Sequence, residues 1–295
     1  MALQGTGAIS LADLATEFGD SAPHSMSEFY AGGSLVGTHN SSVPSSGAIS
    51  LSNFYNATAA LVLDITSNTS DYDILTAATA AGYNAATDTT PIIVNVAAGV
   101  DITATSGNPG ITTGALNAAS DVTINIAATA SVCGFDGAQG ANGGTNSAGS
   151  AGGNGTDAIK FAVTSGTGTY SVLNSGTVGA GSGGGGGAGG PGSAGARLTE
   201  YDDGKGSSSC GPGNTYGSAG SAGSAGVSGT SCRAQAGTDG TAGTSGSYPS
   251  NACAISVSAG SGGAGGAGGT AGKAVDKGGL TVTTSGSGTY YGATS

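Results

Sequence analysis

Glycine falls on every third residue in five separate stretches of the chain, and few patterns restrict a fold more. It stands at 134, 137, 140, 143, 149, 152 and 155, with Asn146 as the single interruption, and at 183, 186, 189, 192 and 195. The phase returns at 217, 220, 223, 226 and 229, at 237, 240, 243 and 246, and at 260, 263, 266, 269 and 272. Three residues make one turn of a polyproline-II helix, and where such helices pack side by side only glycine fits the crowded face. Collagen needs about 15–20% proline or hydroxyproline, whereas this chain has 7 Pro in 295 residues. Its triplet runs are short, filled with Ala, Ser and Thr, and separated by irregular segments. They predict a bundle of polyglycine-II helices within one chain, and their constant phase argues against a flexible Gly/Ser linker.

Composition explains why such a device is needed. The chain holds 61 Gly and no Trp, with 5% aromatic and 8% charged residues, against about 7% Gly and 25% charged in ordinary domains. Little apolar area is available to bury at roughly 25 cal/mol per Å², and each glycine loses much backbone entropy on ordering. A conventional core therefore cannot hold most of the chain. The net charge is −11, and all six basic residues lie after residue 159. A half without Lys or Arg has no grip on a phosphate backbone or an anionic membrane surface, so neither nucleic acid nor membrane is an expected partner. No apolar run reaches about 18 residues, and the first residues lack the basic and apolar regions of a secretory signal.

The N-terminal segment repeats one phrase. GAISLADL at 7–14 returns as GAISLSNF at 47–54, with a looser copy, HSMSEF, at 24–29. In each, a serine (Ser10, Ser25, Ser50) is followed three places later by Asp13, Glu28 or Asn53, the spacing of a helix capping box. Residues 1–58 thus read as three short amphipathic helices, with Gly19 and Gly32-Gly33 as stops. Their apolar faces carry Leu11, Leu14, Phe18, Met26, Phe29, Leu51 and Phe54, which pack on one another or on a partner.

Residues 59–178 form a strand-rich body. LVLDIT, PIIVNVAAGVDITAT, DVTINIAATASV, AIKFAVT and YSVLNSGTV alternate as strands, and residues 70–82 read as one more helix, boxed by Ser70 and Asp73. TSGTGTY at 164–170 returns as TSGSGTY at 284–290, so the last strand reads as a relative of the earlier hairpin. Residues 179–295 are the glycine-rich part. The fold class is thus mainly β and irregular, with a small helical module at one end and a polyglycine-II bundle at the other.

Chemistry-bearing constellations are sparse. Cys133, Cys210, Cys232 and Cys253 flank the triplet runs without CxxC spacing, so zinc is not expected. Disulfides with three possible pairings and free buried thiols both remain open. His24 and His39 sit beside turns, no catalytic triad or carboxylate pair assembles, and the many GxGxxG matches lack a strand–helix context. Neither a cofactor nor a metal is expected, and an enzyme is not. The large side chains instead gather between the glycine runs. Arg197, Glu200, Tyr201, Asp202, Asp203, Lys205 and Tyr216 lie in one loop, Arg233 and Gln235 in the next, Tyr248 and Asn251 in the third. Tyr- and Arg-bearing loops on a rigid scaffold follow the logic of a binding surface.

With these motifs the chain resembles the glycine-rich tail-fibre and tail-tip adhesins of tailed phages. The phrases GAISLADLATEFG, HSMSEFYAGG and GAISLSNFY are similar to a module that opens many virion proteins. The stretch from LVLDITSNTSDYDILTAA through TINI to VLNSGTVGAGSGGGGGAGG resembles the body of glycine-rich phage fibre and tip proteins, and the alternation of Gly-triplet runs with loops is similar to the tail-fibre-tip adhesins of T-even-type phages. That resemblance implies a polyglycine-II sandwich whose loops recognise a host receptor, here residues 196–216, 230–236 and 247–259. It implies a virion protein assembled in the host cytoplasm and acting outside the cell. The expected partners are other virion or tail-fibre proteins, a host outer-surface protein or glycan, and further copies in a homotrimer, with 1–58 as the attachment module. Two rivals are a structural spike without receptor and an ice-binding protein with flat Ala/Ser/Thr faces.

Overall fold

The structure, a computed structural model of the chain, describes residues 2–163, 166–192, 196–202, 208–216, 232–233, 235–245 and 260–295. For 196–202 and 208–216 the description is of the backbone. The chain divides into two compact units, neither continuous in sequence. One comprises Met1–Cys133, Asp157–Gly179 and Ala274–Ser295; the other comprises Gly134–Thr156 and Ala180–Lys273. A partition into successive blocks at 58 and 178 differs from this because glycine segments separated in sequence associate, and the chain then returns to the strands it left.

All three capping boxes at the N-terminus form, but they open elements of different length. The first starts α1 (Leu11–Phe18), which Gly19 closes in the left-handed conformation, at φ 70°. The other two start single 3-10 turns, Met26–Phe29 and Leu51–Phe54, so the three helices expected become one helix and two turns. The reason lies one residue further on. Tyr30 and Tyr55 leave each turn in extended conformation, and their hydroxyls donate to the carbonyls of Gly47 and Gly7. The second copy thereby ties to the head of the third, and the third to the head of the first. Inside, Phe18, Phe29 and Phe54 form a triangle with ring centroids 6.1–6.3 Å apart, a spacing at which each tilted pair adds about 0.5–1.5 kcal/mol beyond its burial.

The strands then wind as a three-faced parallel solenoid. The first coil is β1 (Leu61–Ile65), β2 (Thr69–Ser70) and β3 (Tyr72–Asp73), followed by α2 (Ile74–Ala80). The second is β4 (Ile92–Val96), β5 (Asp101–Thr103) and β6 (Ile111–Thr112); the third is β7 (Val122–Ile126), β8 (Ser131–Cys133) and β9 (Ile159–Lys160). The fourth is β10 (Tyr170–Asn174) and β11 (Thr177–Gly179). It closes only after the glycine-rich unit, with its β12 (Ala196–Asp202) and β13 (Ser208–Tyr216), through β14 (Val275–Asp276). The last coil is β15 (Val282–Ser285) and β16 (Thr289–Tyr291). The faces are the sheets β1-β4-β7-β10-β15, β2-β5-β8-β11-β16 and β3-β6-β9-β14.

Stacking puts like on like. Leu63, Val94, Ile124 and Val172 are successive partners on the first face, and Ile102, Val132, Val178 and Tyr290 on the second. Alternation sends every other side chain into the core, and parallel pairing satisfies the backbone coil to coil. Two expectations change. The segments 158–164 and 170–178 do not form a hairpin, since Tyr170 pairs in parallel with both Val122 and Val282. The repeated TSG phrases are also not equivalent, because Tyr170 begins a first-face strand whereas Tyr290 lies on the second face. α2 is capped by Asp73, whose Oδ1 accepts from the Thr76 amide at 2.8 Å, while Ser70 is used in β2.

The corner between the second and third faces holds Asp71 alone in the first coil, then residues 104–110, then 134–158, then 180–274. Each insertion is longer than the one before. Ile124→Ala, which empties a fully buried position of the middle coil, lowers stability by roughly 2–5 kcal/mol in urea unfolding. Thr283→Ala on an exposed outer position changes it by less than about 0.5 kcal/mol.

Candidate functional site

The second unit is built on glycine backbone. Five described segments run without helix or strand: 134–146, 147–156, 180–192, 235–245 and 260–272. Their amides donate sideways with a period of three. Gly137, Gly140 and Gly143 reach the carbonyls of Ser182, Gly185 and Ala188 at 2.7–2.8 Å. Gly183, Gly186, Gly189 and Gly192 reach Gln235, Thr238, Thr241 and Thr244 at 2.8–2.9 Å. Gly237, Gly240 and Gly243 reach Gly269, Gly266 and Gly263 at 2.8–2.9 Å.

The segment 180–192 is central, bonded to all four others. Its residues 180–190 are buried, and glycine fills two phases of it rather than one. A Cβ at Gly186 would overlap the Gly266 carbonyl oxygen, and one at Gly187 that of Ala141. Its third phase carries the side chains of Ser182 and Ala188. In 260–272 the residues 263, 266 and 269 are buried while Ala264, Ala267 and Thr270 are exposed. Polar side chains also reach across between segments. Asp136 and Asn142 accept from the amides of Ser182 and Ala188 at 2.8 and 2.9 Å. Asn154 and Asp239 accept from Thr270 and Gly268 at 3.0 and 2.8 Å. A net hydrogen bond is worth about 0.5–1.5 kcal/mol, and an unmade buried one costs about 1–3, so this lattice is what orders a segment with almost no apolar side chain.

On this base the sequence-selected residues fall into three groups. Arg197, Glu200, Tyr201, Asp202 and Tyr216 lie on β12 and β13, which pair as an antiparallel hairpin rather than an irregular loop. Arg197 is opposite Thr215, Glu200 opposite Cys210, Tyr201 opposite Ser209 and Asp202 opposite Ser208, with a register shift between Leu198 and Glu200. Arg233 is exposed in a turn beside Cys232, which has φ 56°. Lys205, Tyr248, Asn251 and Cys253, with the glycine run 217–229, lie outside the described residues. Cys133 and Cys232 are both in disulfides, and among the described residues no cysteine is free.

The apolar residues selected at the N-terminus divide by burial. Leu14, Phe18, Phe29 and Phe54 form the module's own core with Val36 and Val43, so they are not a free face. Leu11, Met26 and Leu51, the first residue after each capping serine, stay partly exposed at equivalent places in the three copies. Beside α1 an open cleft of about 380 Å³ is lined by Leu3, Gln4, Ile9, Asp13, Thr16 and Glu17. Hydrogen bonds from the Ser10 amide and hydroxyl hold the Asp13 carboxyl below its usual range. Among the described residues no group of three or more His, Cys, Asp or Glu is placed to hold a metal ion, and no helix is long and apolar enough to cross a membrane.

A parallel solenoid and a glycine lattice held by its own backbone, with Tyr, Arg and acidic residues gathered in sequence between the glycine runs, make a scaffold suited to presentation. The sequence model of the phage tail fibre adhesin Gp38 family matches residues 60–295. The chain belongs to that family: it is a bacteriophage tail-fibre adhesin and a virion protein. That membership decides against the ice-binding reading. Among solved structures, the crystal structure of the gp37-gp38 adhesin tip complex of the bacteriophage S16 long tail fibre is similar, at 18% identity and a TM-score of 0.36. The match covers 98% of this chain and 99% of that one. No curated protein matches the chain.

Gly187→Ala costs at least about 1–3 kcal/mol by overpacking, read as a fall in the thermal midpoint. Ala267→Ser, at an exposed position of a neighbouring segment, leaves the midpoint within error.

Proposed function

We propose that this adhesin binds its host receptor, an outer-surface protein or glycan, through the connections between glycine segments. The residues that carry recognition in this reading are Arg197, Glu200, Tyr201, Asp202, Lys205 and Tyr216 on the hairpin and its turn. Arg233 joins them from the turn at 230–236, and Tyr248 and Asn251 from 247–259. The observation behind it is the division of labour within the second unit. Backbone, small side chains and a few Asp and Asn acceptors hold the segments together, which leaves Tyr and Arg to their connections. The segments themselves form a polyglycine-II bundle in this account. The support is the three-residue hydrogen-bond period and the glycines that no Cβ could replace. The protein acts by binding, without catalysis, after assembly in the host cytoplasm.

The module 1–58 attaches the adhesin to another tail-fibre protein through Leu11, Met26 and Leu51. Three equivalent apolar contacts from one chain suit a partner that itself presents three equivalent sites. A homotrimer of the adhesin is not needed for that fit, because the motif is already repeated within one chain.

Replacing 203–207 and 247–259 by Gly/Ser in the full chain lowers adsorption to host cells at least about tenfold, the scale on which a few hot-spot side chains act. Equal adsorption by a folded variant contradicts the loop assignment. The triple change Leu11→Ser, Met26→Ser, Leu51→Ser keeps the fold but abolishes incorporation into virions, scored by immunoblot of purified particles. Normal incorporation would remove the module from attachment.

A further inference from the structure

The N-terminal module and the solenoid have separate apolar clusters, and the residues that join them are polar. Asp88, buried at the approach to β4, takes two donors from each side. Its Oδ2 accepts from the Thr38 amide at 3.0 Å and the Thr38 hydroxyl at 2.8 Å. Its Oδ1 accepts from the Thr90 amide at 2.9 Å and from the Thr90 hydroxyl. The Thr38 hydroxyl also lies 2.6 Å from the Gly82 carbonyl. Gly37 is pressed so closely on this joint that a Cβ there would overlap the Thr90 hydroxyl. Beside them, His39 Nε2 lies 3.2 Å from the Thr58 carbonyl, 3.1 Å from its hydroxyl and 3.2 Å from Asn40 Nδ2. His39 Nδ1 is buried and has no partner.

We propose that this joint is a pH-sensitive latch: neutral His39 and ionised Asp88 hold residues 37–39 against 82–90, and protonation of His39 loosens the module from the solenoid. In the neutral ring Nδ1 is left alone whichever tautomer is present. In the imidazolium it carries an N–H with no acceptor, and a buried charged donor without a partner costs far more than a neutral one. The carboxylate whose charge acts on the ring is Asp88, and turning it toward the ring takes it away from Thr38 and Thr90. Among the described residues a third titratable group, Glu17, accepts from the Ala59 amide at 3.1 Å next to Thr58.

Burial holds His39 below its usual value, against the opposing pull of Asp88 and the Thr58 carbonyl. Burial pushes Asp88 up, but the hydrogen bonds from Thr90 and Thr38 outweigh it and hold the carboxyl below its usual range. Both groups therefore bind fewer protons in the folded state. The His39 contribution is complete above about pH 6.5 and is lost as pH falls through the lower, folded value. The Asp88 contribution is lost further down, below the ordinary carboxylate value.

The test is hydrogen exchange on the full-length protein between about pH 7.5 and about pH 5, corrected for intrinsic rates. One proton of linkage allows a fall in protection of up to about tenfold per pH unit. That fall is expected at the Thr38, Asn40 and Thr90 amides, with Val94 and Ile124 unchanged. His39→Gln removes the transition, and Asp88→Asn lowers protection at Thr38 and Thr90 already at the upper pH. Flat protection in the wild type, or a His39→Gln variant that tracks it, overturns the latch. If His39→Gln also loses protection in the solenoid, the ring titration of the wild type by NMR decides. A midpoint matching the exchange transition supports the latch, and midpoints apart overturn it.

Discussion

An extended glycine segment has no side chains to bury, so its order depends on every third amide finding a carbonyl on a neighbouring segment. Much of the second unit can be derived from that requirement. The neighbour must come within hydrogen-bonding distance along the whole segment, which removes the Cβ from each facing position. An outer segment faces neighbours on part of its circumference and needs one or two glycine phases. The segment 180–192, with neighbours on all sides, needs two and tolerates Ser182 and Ala188 only in the third. Asp136, Asn142 and Asn154 complete the lattice by accepting from the non-glycine amides of Ser182, Ala188 and Thr270, and Asp239 accepts from Gly268. These polar residues are structural, although from the sequence alone they could be taken for surface decoration.

The solenoid has what the glycine lattice lacks, an apolar core. The second unit leaves the solenoid after β8 and after β11, strands that pair with each other, and returns at β9 and β14, which also pair. Both insertions thus depart from one corner of adjacent coils. A coil can lengthen at its corner without disturbing the ladder, because parallel pairing depends on the strands and not on what connects them. This separates the part that must keep its sequence, the inward-facing residues, from the part in which sequence can vary.

Much of this was legible in the residues. Glycine in threes marked the lattice, Ser-x-x-Asp/Glu/Asn marked three real capping boxes, and alternation marked the strands. Alternation tells which side chains face inward but not which strand lies alongside, so it suggests a hairpin where the strands stack in parallel. The missed signal was the likeness of IIVNVAAGVDIT to VTINIAATASV, a recurrence at about thirty residues of the kind a solenoid leaves. Glycine fills two phases in 180–192 and also in 260–272, so the central place of 180–192 shows only in its hydrogen bonds to the four other segments. Amphipathicity at the N-terminus marks which residues are apolar on each copy. It could not show that Phe18, Phe29 and Phe54 would satisfy one another while Leu11, Met26 and Leu51 stay partly exposed. Discontinuous units cannot be seen from local composition, since the return at Ala274 depends on a partner far away in sequence.

The central claim is that backbone hydrogen bonds, not side-chain burial, make the glycine-rich unit a fixed platform. Amide exchange along 180–192 in the full-length protein addresses it most directly. The account predicts that Gly183, Gly186, Gly187 and Gly190 exchange as slowly as core amides of β4 and β7, orders of magnitude below the unstructured rate. Exchange at the rate of a free Gly/Ser chain would contradict it and leave the triplets as a linker.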